Sequence, residues 1–315
     1  MMNDKGVLVV GELNLDVILN QISGFPILGQ EIIADDLNIT LGSSSAIFAS
    51  NIAALGINTS FCGMIGKDAF GRIILEQLKN KNVNTSLITE SEKYQTGMTV
   101  VLNYGQDRAN VTFCGAMEAF NKSNIPPERL SRFQHLHFSS YFLQKGMKEY
   151  LPELFRLAKE KGLTTSLDLQ WDPENKWEFP YKQCLPYVDV FLPNEAEILL
   201  LTGESSLERA VKLIGEFGNE VVVKQGIKGA VYYRKGIWHY SKPFLHDRFV
   251  DAIGAGDSFN AGFLSKYLTG APIEECLQFG NLAGAVNTTA AGGTKAFESL
   301  PLFKKRSVEL FNFKF

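Results

Sequence analysis

An α/β fold, with a mostly parallel sheet covered by helices on both faces, is predicted by three features of this sequence. Short apolar segments typical of buried strands alternate with helical segments along most of the chain. Reactive side chains follow several of these strands, at the sheet edge where ligands bind in such folds. The length of 315 residues, with 45% hydrophobic and 21% charged residues, suits one large globular domain.

The alternation of strands and helices runs along the chain in order. Near the N-terminus, the predicted strands are Val7–Val10 and 58–64, and the predicted helices are 45–55 and 68–78. Later, the sequence predicts strands over His135–Ser139, 164–169, 188–192 and Glu220–Lys224, and a hairpin over 230–233 and 237–240. It predicts helices over 147–160, 194–201 and 207–217, and two final helices that begin at Asp257 and Ile273.

Two stretches, 30–40 and 96–113, interrupt this alternation because they have the pattern of strands with no helix between them. We expect them to form a small separate sheet that acts as a lid over a cleft. The predicted organisation is one domain over 1–315, with lid strands at about 12–42 and 96–118 inserted within it.

Composition excludes several classes of function. The net charge of −3 gives no basic surface for nucleic acid, and no run of 18 apolar residues predicts a membrane span. No signal peptide is visible, so we expect a cytoplasmic protein. A structural role is expected for His135 and His137, which lack further zinc ligands nearby. Burial as ordinary apolar residues is expected for the four scattered cysteines, Cys62, Cys114, Cys184 and Cys276.

The run 251–263 is the most informative motif of the chain. The small residues Gly254, Ala255 and Gly256 allow the backbone to approach a ligand closely and lead into a predicted helix. Free amides at a helix N-terminus favour an anion, and Asp257 lies where it would accept a proton from a hydroxyl. This combination suggests phosphoryl transfer to an alcohol. The alternative is an ordinary helix with Asp257 as its N-cap.

Two further motifs each allow two interpretations. Asn194 and Glu197 lie on one helix face, where they would hold water around Mg²⁺ or form a capping box. Lys224 ends a predicted strand and is followed by Gly226 and Gly229. It would meet a nucleotide phosphate as a point charge, or else be a surface lysine in a turn. The chain has no Walker-type phosphate loop.

Polar residues near the N-terminus suit sugar hydroxyls. Asn14 and Asp16 point to one side if the chain stays extended there, and Gly42 and Ser43 precede a helix that would present backbone amides. Local side-chain to backbone hydrogen bonds in a turn are the alternative. Arg108, on the predicted lid, would meet a substrate carboxylate or face solvent.

Taken in order, these motifs resemble the ribokinase-like sugar kinases, also called the PfkB family. The resemblance covers nearly the whole chain and rests on six segments: 11–16, 42–56, 63–71, 193–197, 223–226 and 251–262. It implies a doubly wound, mostly parallel sheet flanked by helices, with a small β-sheet lid that closes on the sugar and often forms a dimer contact. It also implies ATP and Mg²⁺ as the reaction partners of a sugar substrate.

The resemblance assigns roles to individual residues. It makes Asp257 the base that activates the sugar hydroxyl. The anion hole would be built from Gly254, Ala255, Gly256 and Asp257. Glu197, with Asn194, would organise Mg²⁺ through water. Residues implied to bind the nucleotide are Asn194, Lys224, Gly226, Gly229, Ala283 and Asn287, and those implied to bind the sugar are Asn14, Asp16, Gly42, Ser43 and Asp257.

The chain also departs from the family pattern at two places: among the residues implied to bind the sugar, and in the motif at 251–262. The family usually has a second glycine after Gly42 and an asparagine where this chain has Ile47. In that family, the motif that corresponds to 251–262 commonly carries two threonines where this chain has Ala252 and Ile253. Many members of the family bind K⁺ beside this loop through backbone oxygens and an aspartate like Asp251. The backbone oxygens are present whatever the side chains at 252 and 253. K⁺ activation is therefore an expectation.

These observations predict an ATP-dependent kinase that acts on a sugar or sugar acid, with Asp257 as the base. The expected substrate is a fructose-like sugar or a keto-deoxy acid, and a homodimer through the lid is expected. Two alternatives stay open. One is a nucleoside kinase, because the same architecture accepts a ribose that carries a base; the other is a non-catalytic sensor of sugars or nucleotides.

Overall fold

The computed structural model describes residues 5–104, 107–217 and 220–315, which form two β-sheets and the helices packed around them. The larger sheet has nine strands in the order β13-β12-β11-β10-β9-β8-β1-β4-β5. Its strands are β1 (Val7–Val10), β4 (Thr59–Gly66), β5 (Val83–Ser91), β8 (His135–Ser139), β9 (Thr164–Asp168), β10 (Val190–Phe191), β11 (Glu220–Lys224), β12 (Ala230–Arg234) and β13 (Ile237–Ser241). In this spatial order, all neighbouring strands from β5 to β11 are parallel to each other. Strands β11, β12 and β13 pair antiparallel at the other edge.

The smaller sheet has four strands in the order β3-β2-β6-β7. Its strands are β2 (Asn14–Ile22), β3 (Ala34–Leu41), β6 (Gly97–Tyr104) and β7 (Asp107–Phe113). This sheet confirms the separate strand-rich unit that the segments 30–40 and 96–113 predicted. Strand β2 follows β1 of the large sheet after three residues, so the chain passes directly from one sheet to the other.

Helices cover both faces of the large sheet, as the alternating pattern predicted. They are α1 (Ser44–Ala54), α2 (Ala69–Asn80), α3 (Ala116–Ala119), α4 (Leu151–Glu160), α5 (Tyr181–Cys184), α6 (Glu195–Thr202), α7 (Leu207–Gly215), α8 (Ala255–Tyr267), α9 (Ile273–Asn287) and α10 (Leu300–Phe311). Successive residues of a strand point to opposite faces. In β11, Val221 and Val223 therefore join one apolar cluster with α4 and α7, and Val222 joins the other with α1 and α8.

Strand β5, helix α10 and the short helices α3 and α5 were not predicted. Among the residues that the structure describes, strand β5 pairs with β4 alone, at the sheet edge. Polar residues occupy many of its positions, so its sequence lacks the apolar run of a central strand. Helix α10 was missed because the prediction ended the fold with the helix that begins at Ile273. In the structure α10 begins after Ser299, whose hydroxyl accepts a hydrogen bond from the Leu302 amide. The other predicted elements are present, with bounds that differ by a few residues.

Within the described residues, no helix combines the length and the apolar character that crossing a bilayer requires. The four cysteines are unpaired, and three of them are buried. The rings of His135 and His137 are also buried in the large sheet. Both rings hydrogen bond to the hydroxyl of Ser166, at 2.7 Å in each case, and burial lowers the pKa of both. The two histidines are therefore neutral in the folded protein.

Candidate active site

The turn before α8 has a backbone conformation that suits glycine. Gly254 has φ of 71°, and a Cβ on it would lie 2.7 Å from the Cα of Gly293 and 2.9 Å from the Cγ2 of Ile47. Helix α8 then begins at Ala255, and its first-turn amides have no intrahelical acceptors. The Ala255 amide donates to the Ala252 carbonyl at 3.2 Å, whereas the amides of Gly256 and Asp257 have no such partner among the described residues.

Asp257 is not the N-cap of α8. It is the third residue of the helix, and the N-cap position belongs to Gly254. Its Oδ1 accepts a hydrogen bond of 3.0 Å from the side-chain amide of Gln170, which follows β9. The ordinary N-cap interpretation of the motif is therefore wrong, and the carboxylate faces the edge of the large sheet.

A buried carboxylate, Asp168, connects the residues around Asp257. Its Oδ2 accepts hydrogen bonds from the Nζ of Lys224 at 2.6 Å, from Asn260 at 2.6 Å and from Gln170 at 3.0 Å. Because the amide of Gln170 donates to both carboxylates, it links Asp168 to Asp257. Asn260 lies one turn after Asp257 on α8, so both present their side chains to the same sheet edge.

The parallel sheet explains why these residues meet. Strands β9, β10 and β11 are neighbours, and their carboxyl ends lie at one edge. Asp168 is the last residue of β9 and Lys224 the last of β11. Asn194, just beyond β10, forms a parallel bridge with Lys224. Residues far apart in sequence are thus brought together by strand order, at the edge where ligands bind in open α/β sheets.

Burial and neighbouring charges shift the ionisation of this cluster. Burial raises the pKa of Asp257 well above its ordinary value, and Asp168 raises it further, whereas Lys224 opposes the shift. Burial alone lowers the pKa of Lys224, but the carboxylates of Asp168 and Glu197 outweigh that effect and the pKa is raised. Lys224 is therefore a permanent cation beside a carboxyl group that holds its proton more tightly than usual.

Asn194 and Glu197 form the capping box at the start of α6. The Asn194 side chain accepts from the Glu197 amide at 2.9 Å, and the Glu197 carboxylate accepts from the Asn194 amide at 2.8 Å. Burial and then Asp168 raise the pKa of Glu197, and Lys224 opposes the shift. The capping interpretation is therefore correct. It leaves the second interpretation open, because a carboxylate oxygen accepts more than one hydrogen bond or ligand.

A cavity of about 340 Å³, here called the helix cavity, lies on one side of the turn at 254–257. Its lining includes Ala255 and Gly256 of that turn, together with Lys224, Gly226 and Gly229. Apolar side chains complete it: Ile227, Pro243, Phe244, Leu245, Phe249 and Phe259. The lining of the helix cavity therefore combines a cation and free backbone amides with apolar side chains.

Two residues predicted to border this cavity do not line it. Ala283 is fully buried, and its methyl group packs where a side chain on Gly262 would lie. Asn287 is buried too, and it donates a hydrogen bond of 2.6 Å to the carbonyl of Ile253. The helical period explains the difference, since other positions of α9 face the cavity: Asn281, Gly284 and Ala285, followed by Thr288.

A second cavity of about 290 Å³, here called the small-sheet cavity, lies on the other side of the turn. Gly254 and Asp257 line it, together with Asn14 and Asp16 from β2. The Asn14 amide donates to Asp16 at 3.0 Å and to Thr99 at 2.9 Å. Burial raises the pKa of Asp16 to about 7, while Asn14 and then Arg108 oppose the shift. The cavity thus has ordered polar groups on its small-sheet wall.

The entry to α1 forms another wall of the small-sheet cavity. Gly42 has no room for a side chain, because a Cβ there would lie 2.1 Å from Oδ1 of Asp16. Ser43 has φ of 72°, and its hydroxyl donates to the carbonyl of Glu12 and accepts from the Ala46 amide. Ser43 therefore caps α1, although it also lines the cavity.

Glu12 is a cavity residue that the sequence motif contained but that was not assigned a role. It is buried between β1 and β2 and accepts hydrogen bonds from the amide and the hydroxyl of Ser45. Burial raises its pKa to about 7, against the effect of Ser45. Glu12 adds a third carboxyl group, after Asp16 and Asp257, to the lining of the small-sheet cavity.

Asp251 holds together two loops beside the α8 turn. Its Oδ1 accepts from the Ile253 amide at 2.9 Å, and its Oδ2 accepts from the Gly292 amide at 2.8 Å. The side chain is buried. Asp251 thus fixes the segment before Gly254 against the loop after α9.

Three residues of the cluster were missed as site residues: Asp168, Gln170 and Asn260. Asp168 and Gln170 lie in a segment that was expected at the ligand edge, but no local spacing links them to Asp257 or Lys224. Gln170 has φ of 61°, an uncommon conformation for a residue with a side chain. Asn260 carried a usable signal, since it lies three residues after Asp257 on a predicted helix.

The chain is thus an α/β protein in which the turn at 254–257 contributes residues to two separate cavities. A family model described as pfkB family carbohydrate kinase matches residues 4–300. The chain therefore belongs to the pfkB family of carbohydrate kinases.

Individual relatives agree with this family. The chain is 29% identical to an uncharacterized sugar kinase of Archaeoglobus fulgidus over 74% of its length and 92% of the relative. It is 28% identical to the 2-dehydro-3-deoxygluconokinase of Bacillus subtilis, over 80% and 82% of the two chains. The structure of a putative ribokinase II from E. coli in complex with ATP and Mg²⁺ superposes with a TM-score of 0.85 at 24% identity, over 96% and 98%. That superposition confirms the predicted ribokinase-like fold.

Proposed function

We propose that this protein transfers the γ-phosphoryl group of ATP to a hydroxyl of a sugar or sugar acid. The observation that carries the proposal is the position of the turn at 254–257 between two cavities. Gly254 and Asp257 line the small-sheet cavity, and Ala255 and Gly256 line the helix cavity. A hydroxyl bound on one side and a phosphate bound on the other would meet at the N-terminus of α8.

Asp257 is the proposed base. It would accept the proton of the attacking hydroxyl as the new bond from that oxygen to phosphorus forms and the bond from phosphorus to the ADP oxygen breaks. The amides of Gly256 and Asp257, with the Nζ of Lys224, would stabilise the negative charge that spreads over the phosphoryl oxygens. The Gln170 amide, at 3.0 Å from Asp257, would hold the carboxylate in position.

The helix cavity is the proposed nucleotide site. Its apolar lining suits a purine ring, and Lys224, which lies beside Gly256, would meet the phosphates. Gly226 and Gly229 also line this cavity and would approach the nucleotide through their backbone. Asn194 and Glu197 offer the oxygen atoms that Mg²⁺ prefers, and water would complete its coordination. Bound Mg²⁺ would neutralise charge on the phosphates. We propose no contact of Ala283 or Asn287 with the nucleotide, because neither lines the cavity.

The small-sheet cavity is the proposed sugar site. Asn14 and Asp16 would bind hydroxyls through their side chains, and the close approach of Gly42 to Asp16 keeps that carboxylate in place. Ser43 would contribute its backbone amide, since its hydroxyl already makes two hydrogen bonds within the protein.

K⁺ activation is also proposed, through the loop that Asp251 anchors. Each oxygen of Asp251 accepts one backbone amide and retains capacity for a cation, and backbone carbonyls lie in the same loop. Turnover in K⁺ should exceed turnover in an equal concentration of Na⁺, and Asp251→Ala should remove that difference. Equal rates in the two salts would contradict this proposal.

The decisive experiment measures ADP release with Mg·ATP and a panel of sugars, sugar acids and nucleosides. Asp257→Asn is expected to lower turnover by roughly 10²–10⁴-fold while ATP binding is kept. Glu174→Gln is the matched control, because Glu174 is an exposed carboxylate outside both cavities. Near-normal turnover of Asp257→Asn would contradict the assignment. Turnover of nucleosides alone would indicate a nucleoside kinase, and binding without any ADP release would indicate a sensor.

A homodimer through the small sheet is the last part of the proposal. Four apolar side chains on its outer strands, Leu37, Ile39, Val111 and Phe113, expose between 48% and 67% of their surface. In β7 they alternate with Arg108, Asn110 and Thr112, which line the small-sheet cavity. The opposite face of the sheet therefore carries an apolar patch, which is typical of an interface.

A further inference from the structure

The charge of the small-sheet cavity is unbalanced. Three carboxyl groups line it, those of Glu12, Asp16 and Asp257. Across the described parts of the chain, Arg108 is the only cationic side chain in that lining. An anionic ligand bound in this cavity would be repelled by each of these carboxyl groups that is ionised, and it would find a single cationic partner.

Arg108 is a weak anchor for a substrate carboxylate. It lies on β7 at the rim of the small sheet and is exposed to solvent. Its charge already acts on the Asp16 carboxyl, whose pKa it lowers against the effect of burial. An exposed cation that is shared with an internal carboxylate contributes little to the binding of another one.

Among the apolar residues that line the same cavity, three aliphatic side chains pack together into one wall. Ile47 comes from α1, Val101 from β6 and Ile253 from the segment before α8, and they form one buried cluster with Ile18. Ile47 is held firmly, because its side chain packs against the backbone of Gly254 and Gly293. A hydroxyl placed on this wall would lose its hydrogen bonds to water without gaining new ones.

We propose that the substrate is an uncharged carbohydrate that presents carbon without a hydroxyl, either a deoxy position or the C–H face of a ring, to Ile47, Val101 and Ile253. This inference rests on the proposed function, and it narrows the substrate from sugars and sugar acids to neutral sugars or cyclitols. The hydroxyls of such a ligand would face Asn14, Asp16 and Glu12 on the polar wall.

The first test measures binding by calorimetry to the wild-type protein at pH 8, with and without a non-hydrolysable ATP analogue. The ligands are neutral sugars and cyclitols, each paired with a sugar acid of similar size: glucose with gluconate and glucuronate, myo-inositol with glucuronate, and 3-deoxyglucose with 2-keto-3-deoxygluconate. At least one neutral member should bind at least about tenfold more tightly than its acid. Arg108→Gln should change its Kd by less than about threefold, within the small contribution of an exposed ion pair.

The second test concerns the apolar wall. Ile47→Asn should shift the ratio of Kd values between a deoxy sugar and its hydroxylated parent by roughly 10–200-fold toward the parent. Ile47→Val is the matched control and should keep the wild-type ratio. If Ile47→Asn fails to fold, Val101→Thr repeats the test, because threonine has nearly the same shape as valine and adds a hydroxyl. A ratio that both polar variants leave unchanged would overturn the apolar part of the proposal.

Binding and turnover separate this inference from the proposed function. Tight binding of a neutral ligand without ADP release would contradict the kinase proposal and support the substrate class. Tighter binding of the acids, with loss of binding in Arg108→Gln, would overturn the substrate class, and ADP release with those acids would still support the kinase. If no neutral ligand binds, with or without the ATP analogue, the proposed substrate class is also overturned.

Discussion

Gln170 shows how one side chain organises two buried carboxyl groups. Its amide nitrogen donates to Asp168 and to Asp257, at 3.0 Å in each case. Two neighbouring buried carboxyl groups repel each other when both are ionised, and a shared donor reduces that repulsion. The left-handed backbone of Gln170 places the amide between them. Strain at a site of this kind is usually retained for function.

Glu12 makes the stability of the protein depend on pH. Its pKa is raised by burial from 4.5 to about 7, so the folded protein binds its proton more tightly than the unfolded chain does. The stability that this group contributes is therefore fully present below pH 4.5 and is lost as the pH rises through about 7. The full effect is on the order of 3 kcal/mol.

Glu12→Gln removes this titration and keeps the size of the side chain. The melting temperature of the variant, relative to wild type, should rise between pH 5 and pH 8, because only the wild type must ionise a buried carboxyl group. Thermal unfolding at several pH values measures the difference. Glu174→Gln is the control for an exposed carboxylate, and an equal difference at every pH for Glu12→Gln would contradict the prediction.

At the scale of elements, the sequence predicted well wherever local pattern and tertiary environment agree. Buried central strands such as β1 and β11 are continuous apolar runs, and their predicted bounds match the structure. The edge strand β5 has no such run, because within the described part of the chain a partner strand lies on one of its sides and not on the other. The prediction of the site residues followed the same rule. Asp257 and Lys224 lie in local motifs, whereas the contacts of Asp168 depend on strand order.

Helices α8 and α9 form a close contact that positions Asp257. Gly262 lies at the crossing, where a Cβ would come 2.6 Å from the Cβ of Ala283 and 2.7 Å from the carbonyl of Phe279. A backbone carbonyl cannot turn away as a side chain can, so the two helices would have to separate.

Gly262→Ala is expected to destabilise the protein by on the order of 1–3 kcal/mol, because overpacking outweighs the gain in helix propensity of about 1 kcal/mol. Chemical denaturation measures this loss. Gly24→Ala is the control, since a Cβ on Gly24 meets no atom within 4 Å. An unchanged or raised stability of Gly262→Ala would show that the helices adjust without cost.

At the scale of the whole molecule, the two sheets meet around the small-sheet cavity. The large sheet contributes the residues at its carboxyl edge, and the small sheet contributes Asn14, Asp16 and Thr99. The cluster of Ile18, Ile47, Val101 and Ile253 connects the small sheet to α1 and to the segment before α8. The separate sheet was predictable from two strand-rich stretches, but the packing between the sheets required the structure.

The outer face of the small sheet leads to a prediction about assembly. If two copies associate through it, Val111→Asp would place an unpaired charge in an apolar interface, at a cost of several kcal/mol. Light scattering coupled to size-exclusion chromatography should then give the mass of a dimer for wild type and of a monomer for Val111→Asp. Val308→Asp, an equal substitution at an exposed site on α10, should leave the dimer intact. A monomeric wild-type protein, or a dimer that survives Val111→Asp, would place any interface elsewhere.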